Sequence, residues 1–235
     1  MRAIVLSAGY GTRLGELTQE LPKALLPVAD RPLVEHILLN LARHGFDEVA
    51  VNLHYRPELV QDALGDGSRL GVRIEYSYEP ELLGTAGTLA SLRGFLGDGP
   101  FLVHYGDVLT NEDLGALAAE HQARGALLTL LVHERPGSNS VVVLDDERRI
   151  VEFAERPPAD DPVRERSSWT NSGICVCDPA VLDLVPPAPS DLARDLLPAL
   201  AGRPDVYARP LTRRRIAVDS PDRYRQAVTL VEEGW

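Results

Sequence analysis

The 235-residue sequence has no long apolar run and no excess of positive charge. No stretch of 18 or more apolar residues occurs, so no transmembrane helix is predicted. The first apolar run, Ala3–Leu6, is too short for a secretory signal peptide. The net charge is -11, which argues against a general nucleic-acid binder, because such a protein presents a basic face. We therefore expect a soluble, cytoplasmic protein that contacts neither membranes nor nucleic acid.

Cysteine is also scarce, with only Cys175 and Cys177 present. Two cysteines are too few for a zinc framework. They lie two positions apart in an apolar run, so on a strand both side chains would point to the same face. We interpret them as small apolar residues of the core.

Lysine is nearly absent: Lys23 is the only lysine among 24 lysine and arginine residues. A general bias towards arginine explains the ratio but not why position 23 keeps a lysine. Pro22 and Pro27 flank the segment that contains it and prevent a long helix there. The sequence predicts an ordered, extended loop that can fold back towards the preceding residues.

Apolar runs alternate with segments of helical period, which is typical of βαβ units and a mainly parallel sheet. Strands are predicted at 3–6, 48–53, 72–77, 101–105, 126–133, 140–144, 150–154, 170–176 and 216–218. Helices are predicted at 32–44, at 54–64, from after Gly87 to Leu92, and at 112–124, 191–201 and 221–233. A hairpin signal at Asp145–Arg149 breaks the alternation, so the sheet should be mixed, and Pro157–Arg166 reads as an exposed loop.

A glycine-rich turn, Ser7–Leu14, follows the first predicted strand and would let backbone N–H groups approach phosphates. A dinucleotide-binding fingerprint requires a third glycine where Leu14 stands, and a Walker loop requires Gly-Lys-Ser/Thr, which is absent. A third interpretation is a triphosphate-binding loop, which needs Arg13 and a lysine later in the sequence, and Lys23 is that lysine. A planar guanidinium and a compact ammonium are a suitable pair of cations for a triphosphate.

Together these motifs resemble the N-terminal signature of the sugar-1-phosphate nucleotidylyltransferase superfamily. The matching segments are Gly9–Arg13, Leu17-Thr18, Pro22-Lys23 and Leu26-Pro27-Val28, and Val51–Tyr55 continues the match. Glu16 departs from the family's usual proline. The resemblance implies a Rossmann-like three-layer αβα architecture with a mixed, mainly parallel central sheet, the nucleotide-diphospho-sugar transferase fold. It covers Ala3 to about Ala227.

Two aspartates resemble the metal-binding residues of that family. Asp107 ends the segment His104-Tyr105-Gly106-Asp107, after an apolar strand, where α/β sheets bind ligands. Asp219 precedes a Pro-Asp-Arg-Tyr helix start, but it lacks the family's preceding Trp, and Ser220 replaces a Gly-Thr pair. Carboxylates are the ligands that Mg²⁺ prefers, so the resemblance implies Mg²⁺ held by these two residues.

Two further segments resemble substrate-binding motifs. Glu79–Gly87 resembles the loop that holds the nucleoside, and its Gly-Thr-Ala-Gly form is most similar to mannose-1-phosphate guanylyltransferases and heptose-1-phosphate enzymes. A uridylyl branch has a similar loop. Phe153–Pro157 resembles the family's Phe-x-Glu-Lys-Pro, with Arg156 in place of lysine, which is not a neutral exchange. Asn171-Ser172-Gly173 resembles a sugar-contacting Asn-Ala-Gly.

The resemblance implies a complete set of site residues. The implied catalytic residues are Arg13 and Lys23, and the implied Mg²⁺ ligands are Asp107 and Asp219. The implied nucleotide-binding residues are Leu6, Ala8, Gly9, Gly11, Thr12, Gly84, Thr85 and Gly87. The implied sugar-phosphate-binding residues are Tyr105, Glu155, Arg156 and Asn171. We expect one catalytic domain over residues 1–235, with a sugar-binding lobe from about 134–215 and no C-terminal β-helix domain. A homodimer is a further expectation.

The expected reaction joins a nucleoside triphosphate, GTP first among the candidates, to a mannose- or heptose-type sugar 1-phosphate and releases pyrophosphate. Uridylyl, thymidylyl, cytidylyl and adenylyl transfer stay open, as do sugar-like analogues. A catalytically inactive relative that binds nucleotide sugars is an alternative of another class. A glycosyltransferase would want an Asp-x-Asp motif after a strand, and His104–Asp107 does not supply one.

Overall fold

A computed structural model describes residues 1–234. The strands are β1 (Arg2–Leu6), β2 (Pro27–Val28), β3 (Arg31–Pro32), β4 (Glu48–Leu53), β5 (Arg73–Tyr78), β6 (Phe101–Tyr105), β7 (Val108–Thr110), β8 (Leu128–Glu134), β9 (Ser140–Leu144), β10 (Ile150–Glu155), β11 (Trp169–Cys177), β12 (Val206–Pro210) and β13 (Arg215–Ala217). The α-helices are α1 (Leu33–Arg43), α2 (Pro57–Leu64), α3 (Gly84–Ser91), α4 (Arg93–Leu96), α5 (Leu114–Arg124), α6 (Val163–Arg166), α7 (Leu197–Leu200) and α8 (Pro221–Glu232).

Every predicted strand is present, and so is every predicted helix except that at 191–201, apart from shifts at the ends. The helix predicted at 191–201 is a π-helical turn, Leu192–Leu196, followed by α7. The loop predicted at 157–166 contains the short helix α6. Strands β2, β3, β7 and β12 and the short helix α4 were not predicted; β2 and β3 have two residues each and β7 has three, too few to show a pattern. 

The chain divides into two compact units. The first contains residues 1–82, 103–115 and 212–235, and the second contains residues 83–102 and 116–211. In the first unit the strand order is β6-β1-β4-β5, and β4 pairs in parallel with both β1 and β5. The register sets Leu6 opposite Asn52. Helix α1 buries Val34, Ile37, Leu38 and Leu41 along one stripe, as its helical period predicts.

In the second unit the strand order is β12-β8-β11. Strand β8 pairs in parallel with β12 and antiparallel with β11, so the sheet is mixed but mainly parallel, as predicted. The hairpin predicted around 145–149 is formed by β9 and β10. Cys175 and Cys177 are buried free thiols on β11 whose sulfurs lie 3.7 Å apart, on one face as expected.

None of the helices within residues 1–234 is both long enough and apolar enough to cross a membrane.

Gly84 begins α3 at a point where another part of the second unit crosses its backbone. Its φ is +75°, and a Cβ there would lie 2.2 Å from the carbonyl oxygen of Ser190. The N–H groups of Ala86 and Gly87 donate to that same oxygen at 3.0 and 3.2 Å. Glycine is required at position 84 for both backbone conformation and space.

The substitution Gly84→Ala is expected to lower the free energy of unfolding by about 2–4 kcal/mol, from backbone strain and overlap together. Gly94→Ala is the control, because a Cβ at this α4 glycine has no neighbour within 4 Å. That control should change stability by less than about 1 kcal/mol. Urea unfolding followed by circular dichroism measures both, and equal effects would contradict this account of Gly84.

His104 is a fully buried imidazole on β6, with 1% of its surface exposed. Burial lowers its pKa from 6.5 to about 4, although the hydrogen bond to the Tyr105 carbonyl and the charge of Asp107 act in the opposite direction. Nδ1 lies 2.9 Å from that carbonyl oxygen, so Nδ1 carries the hydrogen of the neutral ring. The folded state therefore holds His104 neutral near pH 6, where the unfolded chain is partly protonated.

Because the unfolded state binds this proton between pH 6.5 and 4 and the folded state does not, His104 removes stability as the pH falls through that window. From pH 7 to pH 5, the titration of His104 is expected to lower the free energy of unfolding by about 2 kcal/mol. His104→Asn keeps a donor to the Tyr105 carbonyl but cannot titrate. Urea unfolding at both pH values should show a smaller loss in the variant than in the wild type, and parallel losses would show that His104 is not the cause.

Candidate active site

The glycine-rich loop leaves the end of β1 and turns sharply at Gly11. Gly11 has a φ of 68° and precedes the 3₁₀ segment Thr12–Thr18. A Cβ at Gly11 would lie 3.1 Å from Thr18 Cγ2 and 3.2 Å from Lys23 Cβ, whereas a Cβ at Gly9 would have no neighbour within 4 Å. The hydroxyl of Thr18 donates to the Gly11 carbonyl at 3.1 Å. Gly11 thus packs against the lysine segment, while Gly9 presents open backbone.

Lys23 lies in a short 3₁₀ turn, Lys23–Leu25, that starts directly after Pro22. Its Nζ donates to Asp107 Oδ2 at 2.8 Å, and the two side chains are 14% and 26% exposed. The predicted extended loop therefore does fold back, and it brings the lysine to the end of β6. Residues 84 positions apart in the sequence form one partly buried ion pair.

Asp107 reaches this position because β6 ends in a close backbone contact with β1. The N–H of Gly106 donates to the Leu6 carbonyl at 2.9 Å. A Cβ at Gly106 would lie 2.6 Å from that carbonyl oxygen and 2.4 Å from Ser7 Oγ, so only glycine fits. The contact fixes Asp107 beside the base of the glycine-rich loop.

Asp219 is brought to Asp107 by a short antiparallel ladder between β7 and β13. Ala217 pairs with Val108, and the N–H of Val218 donates to the Asp107 carbonyl at 2.7 Å. Asp219 follows immediately and precedes α8, whose first turn is capped by Ser220. Despite its altered sequence surroundings, this segment sets the second aspartate beside the first.

Asp219 is flanked by two arginines. Arg13 Nη1 lies 3.9 Å from Oδ2, and Arg223 Nε lies 3.7 Å from Oδ1. The exposed fraction is 63% for the Arg13 side chain and 25% for that of Arg223. Sequence reasoning assigned no role to Arg223, although its position four residues after Asp219 on a helix start predicts such a contact.

The pair Asp107 and Asp219 fits a magnesium ion better than a fully protein-bound metal. Within residues 1–234 no group of three or more potential metal-ligating side chains occurs. Mg²⁺ usually takes one or two carboxylates, keeps several waters and completes its shell with substrate phosphates. Asp107 and Asp219 therefore supply the number of protein ligands that Mg²⁺ usually takes, and waters or substrate phosphates would complete its shell.

A second polar network supports the base of the loop. The N–H of Ser7 donates to Asn52 Oδ1 at 2.6 Å, and Asn52 Nδ2 donates to Glu79 Oε1 at 2.9 Å. Asn52 and Glu79 are 4% and 1% exposed. Leu6 and Ala8 flank Ser7, and Tyr105 ends β6 in the same unit. The network ties the start of the loop to β4 and β5.

In the second unit, the predicted nucleoside loop is engaged by its own protein neighbours. Thr85 Oγ1 accepts a hydrogen bond from the Leu192 N–H at 2.7 Å, and Gly87 is buried with its N–H on Ser190. These contacts pin α3 to the π-helical turn Leu192–Leu196. π-Helical turns occur frequently at functional sites. The binding roles of Gly84, Thr85 and Gly87 stay predictions.

The predicted sugar-phosphate residues of this unit lie at the end of β10 and on β11, and Ser140 of β9 contacts both strands. Glu155 pairs with Ser140, whose hydroxyl accepts from the Asn171 N–H at 3.1 Å. Asn171 begins a bulge in β11, since four residue steps to Cys175 oppose two steps on β8. Its Oδ1 accepts from the Gly173 N–H, and its Nδ2 has no hydrogen-bond partner among the described residues. Bulges of this kind re-aim side chains near binding sites.

Arg156 follows Glu155 in a left-handed backbone conformation, with φ 51°. Its Nε lies 3.6 Å from Glu155 Oε1, and 66% of the arginine side chain is exposed. Burial raises the pKa of Glu155, Arg156 opposes the shift, Asp191 adds to it and Arg194 reduces it. A residue other than glycine at positive φ is uncommon and marks a constrained position.

The structure therefore gathers the predicted residues into two sets. The first unit holds Leu6, Ala8, Gly9, Gly11, Thr12, Arg13, Lys23, Tyr105, Asp107 and Asp219, and the second holds Gly84, Thr85, Gly87, Glu155, Arg156 and Asn171. Tyr105 thus belongs to a different unit from the other predicted sugar-phosphate residues.

Known proteins resemble this chain over most of its length. The sequence profile of the nucleotidyl transferase family matches residues 2–208. A UTP–glucose-1-phosphate uridylyltransferase of Synechocystis sp. is 35% identical over 216 residues, 85% of this chain and 55% of that protein. A mannose-1-phosphate guanyltransferase of Schizosaccharomyces pombe is 35% identical over 231 residues, 95% of this chain and 62% of that protein.

Solved structures share the fold. A Bacillus anthracis protein described as a glucose-1-phosphate thymidylyltransferase has a TM-score of 0.89 and 22% identity, covering 99% of this chain and 96% of the other. This similarity confirms the predicted nucleotide-diphospho-sugar transferase fold. The chain spans only 55–62% of the length of the two curated relatives. With 207 residues matched by the family profile and the fold shared, this chain belongs to the nucleotidyl transferase family.

Proposed function

We propose that this protein transfers a nucleoside monophosphate from a nucleoside triphosphate to a sugar 1-phosphate and releases pyrophosphate. One observation carries the proposal: Lys23 and Arg13 are held on Asp107 and Asp219 beside a glycine-rich loop. A triphosphate needs cations and open backbone, and a magnesium ion needs carboxylates. Family membership makes nucleotidyl transfer the reaction that joins these parts.

In the proposed reaction a phosphate oxygen of the sugar 1-phosphate attacks the α-phosphorus. A new Pα–O bond forms, the bond from Pα to the bridging oxygen of the β-phosphate breaks, and pyrophosphate leaves with that electron pair. The nucleophile is already an anion, so no general base is required. Catalysis then consists of positioning and of stabilising charge.

The residues of the first unit supply that charge stabilisation. Arg13, which is largely exposed, would neutralise the leaving pyrophosphate, and Lys23 would contact the triphosphate near its α-phosphate. Asp107 and Asp219 would hold Mg²⁺, which when bound reduces the repulsion between the two polyanions. Because a divalent ion and Lys23 compete for Asp107, we expect Lys23 to exchange that carboxylate for a phosphate oxygen during substrate binding.

Gly9 is consistent with this assignment, because a Cβ built at this glycine would have no neighbouring atom within 4 Å and the loop backbone is accessible there. Leu6, Ala8, Gly11 and Thr12 would complete the nucleotide contacts of this loop, and Gly84, Thr85 and Gly87 those of the second unit. Glu155 and Asn171 would bind sugar hydroxyls, Arg156 the sugar phosphate, and Tyr105 would also contact this substrate. A cytoplasmic homodimer remains our expectation.

For the substrates we propose GTP and a mannose- or heptose-type sugar 1-phosphate. The support is the Gly84-Thr85-Ala86-Gly87 loop and relatives named as mannose-1-phosphate guanylyltransferases at 33–36% identity. A uridylyltransferase at 35% identity keeps UTP as the second candidate.

Pyrophosphate release tests both points in one matrix. The protein with Mg²⁺ is mixed with GTP, UTP, dTTP, CTP or ATP and with mannose, glucose, heptose or N-acetylhexosamine 1-phosphate. Release with one pair would establish the reaction and identify both substrates. Nucleotide binding without release from any pair would favour an inactive nucleotide-sugar-binding relative, and an absence of nucleotide binding would overturn the proposal.

Lys23→Ala and Asp107→Asn are each expected to lower kcat/KM by about 10²–10³-fold, because the first removes a cation that contacts the triphosphate and the second removes a carboxylate that would hold Mg²⁺. Arg73→Ala is the control, since Arg73 is a 64% exposed cation on β5 that pairs with Glu48 and has no predicted role in the site. It should leave kcat/KM unchanged. Equal activity in Lys23→Ala and the wild type would remove Lys23 from the proposed mechanism.

Arg156→Ala is expected to raise the KM for the sugar 1-phosphate by about 10–100-fold, as loss of a hydrogen bond to a charged group does, and to leave the KM for the triphosphate unchanged. Arg156→Lys should recover most of the loss, because the ammonium still pairs with phosphate. Arg166→Ala is the matched control, an exposed arginine of the same unit paired with Glu152. A rise in the KM for triphosphate instead would reassign Arg156.

A further inference from the structure

Glu112 is a buried carboxylate that the proposed reaction does not use. None of its surface is exposed. Its Oε2 accepts hydrogen bonds from the N–H groups of Thr212 and Arg213 at 2.8 and 2.9 Å, and its Oε1 accepts one from the Thr212 hydroxyl at 2.8 Å. A buried carboxylate is tolerated only when such donors satisfy it. The side chain is thus committed to one segment of the chain.

Thr110 and Asn111, the two residues before Glu112, bind the backbone of Arg214, which follows Thr212 and Arg213 in the chain. Thr110 Oγ1 donates to the Arg214 carbonyl at 2.9 Å, and the Arg214 N–H donates to Asn111 Oδ1 at 3.0 Å. We call the contacts of Thr110–Glu112 with residues 212–214 the polar clamp. All of these residues lie in the first unit.

The polar clamp leads directly into β13 and from there to Asp219. Strand β13 has only three residues and pairs only three residues of β7. A two-stranded ladder of this length is weakly stable by itself. A slip of one residue would turn the alternation of side chains over, and a slip of two would move Asp219 by about 7 Å along the strand. The register of β13 therefore needs a second restraint, and the clamp is placed to provide it.

We propose that Glu112 is a positioning residue that fixes the register of β13 and so holds Asp219 beside Asp107 for metal binding. The inference rests on the proposed function in one respect, the assignment of these aspartates to a divalent cation. Glu112 acts through the backbone of residues 212 and 213 and contacts neither aspartate. Partners of this kind, which hold ligands in place, typically affect metal affinity or activity by 10–100-fold when mutated.

The test measures the affinity of the whole 235-residue chain for Mn²⁺ alone. Mn²⁺ is added from micromolar to millimolar concentration, and the electron paramagnetic resonance signal reports the Mn²⁺ that stays free. Asp219→Asn gives the reference loss. Glu112→Ala, which removes all three hydrogen bonds, should weaken Mn²⁺ binding by about 10–100-fold. Glu112→Gln should stay within about threefold of the wild type, because Oε1 of glutamine accepts from both N–H groups and Nε2 donates to the Thr212 hydroxyl.

A matched control separates positioning from general loss of stability. Glu35→Ala removes another buried glutamate of the first unit, which is 7% exposed on α1 and pairs with Arg69. It should bind Mn²⁺ as the wild type does. Circular dichroism and urea unfolding establish that each variant is folded under the assay conditions. If Glu112→Ala does not fold, Glu112→Asp replaces it, because the shortened side chain withdraws the carboxylate from the clamp and should weaken Mn²⁺ binding in a folded protein.

Folded Glu112 variants that keep wild-type Mn²⁺ affinity would overturn the proposal and leave the proposed function intact. Wild-type protein that binds no Mn²⁺, or binds it equally well after Asp219→Asn, would overturn both the metal assignment and the role of Glu112. The expected pattern of Mn²⁺ affinities without pyrophosphate release in the substrate matrix would support Glu112 and count against the proposed reaction only.

Discussion

The candidate active site depends on one backbone hydrogen bond, from the Val218 N–H to the Asp107 carbonyl, which joins the two segments that carry the aspartates. Lys23 pairs with Asp107, and Arg13 and Arg223 lie within 4 Å of Asp219. The single lysine of the chain is therefore paired with a carboxylate of the candidate site.

This arrangement accounts for several features that have no explanation on their own. Gly11 must be small because the lysine segment packs on it, and Gly106 must be small because β6 meets the end of β1. The prolines around Lys23 prevent a helix that would carry the lysine away.

The glycines of the predicted motifs divide into two physical classes. Gly11 and Gly84 have positive φ and close protein neighbours, so their lack of a side chain is explained by packing. Gly9, like Gly94, has no protein atom within 4 Å of the position that a Cβ would take, so packing does not explain a glycine there. Among the motif glycines, internal packing therefore accounts for Gly11 and Gly84 but not for Gly9.

The sequence by itself determined the element pattern, the α/β class and the family, because apolar periodicity and the Gly-rich, Pro-Lys and Gly-Asp motifs are local properties. It also predicted Lys23, Asp107 and Asp219 as residues of the candidate site. It could not show that Lys23 pairs with Asp107 or that Glu112 holds residues 212–213. Those contacts join residues separated by 84 to 101 positions. Only the tertiary structure decided them, because strand pairing and the close approach at Gly106 bring the segments together, and no local pattern encodes which distant segment a strand end will meet.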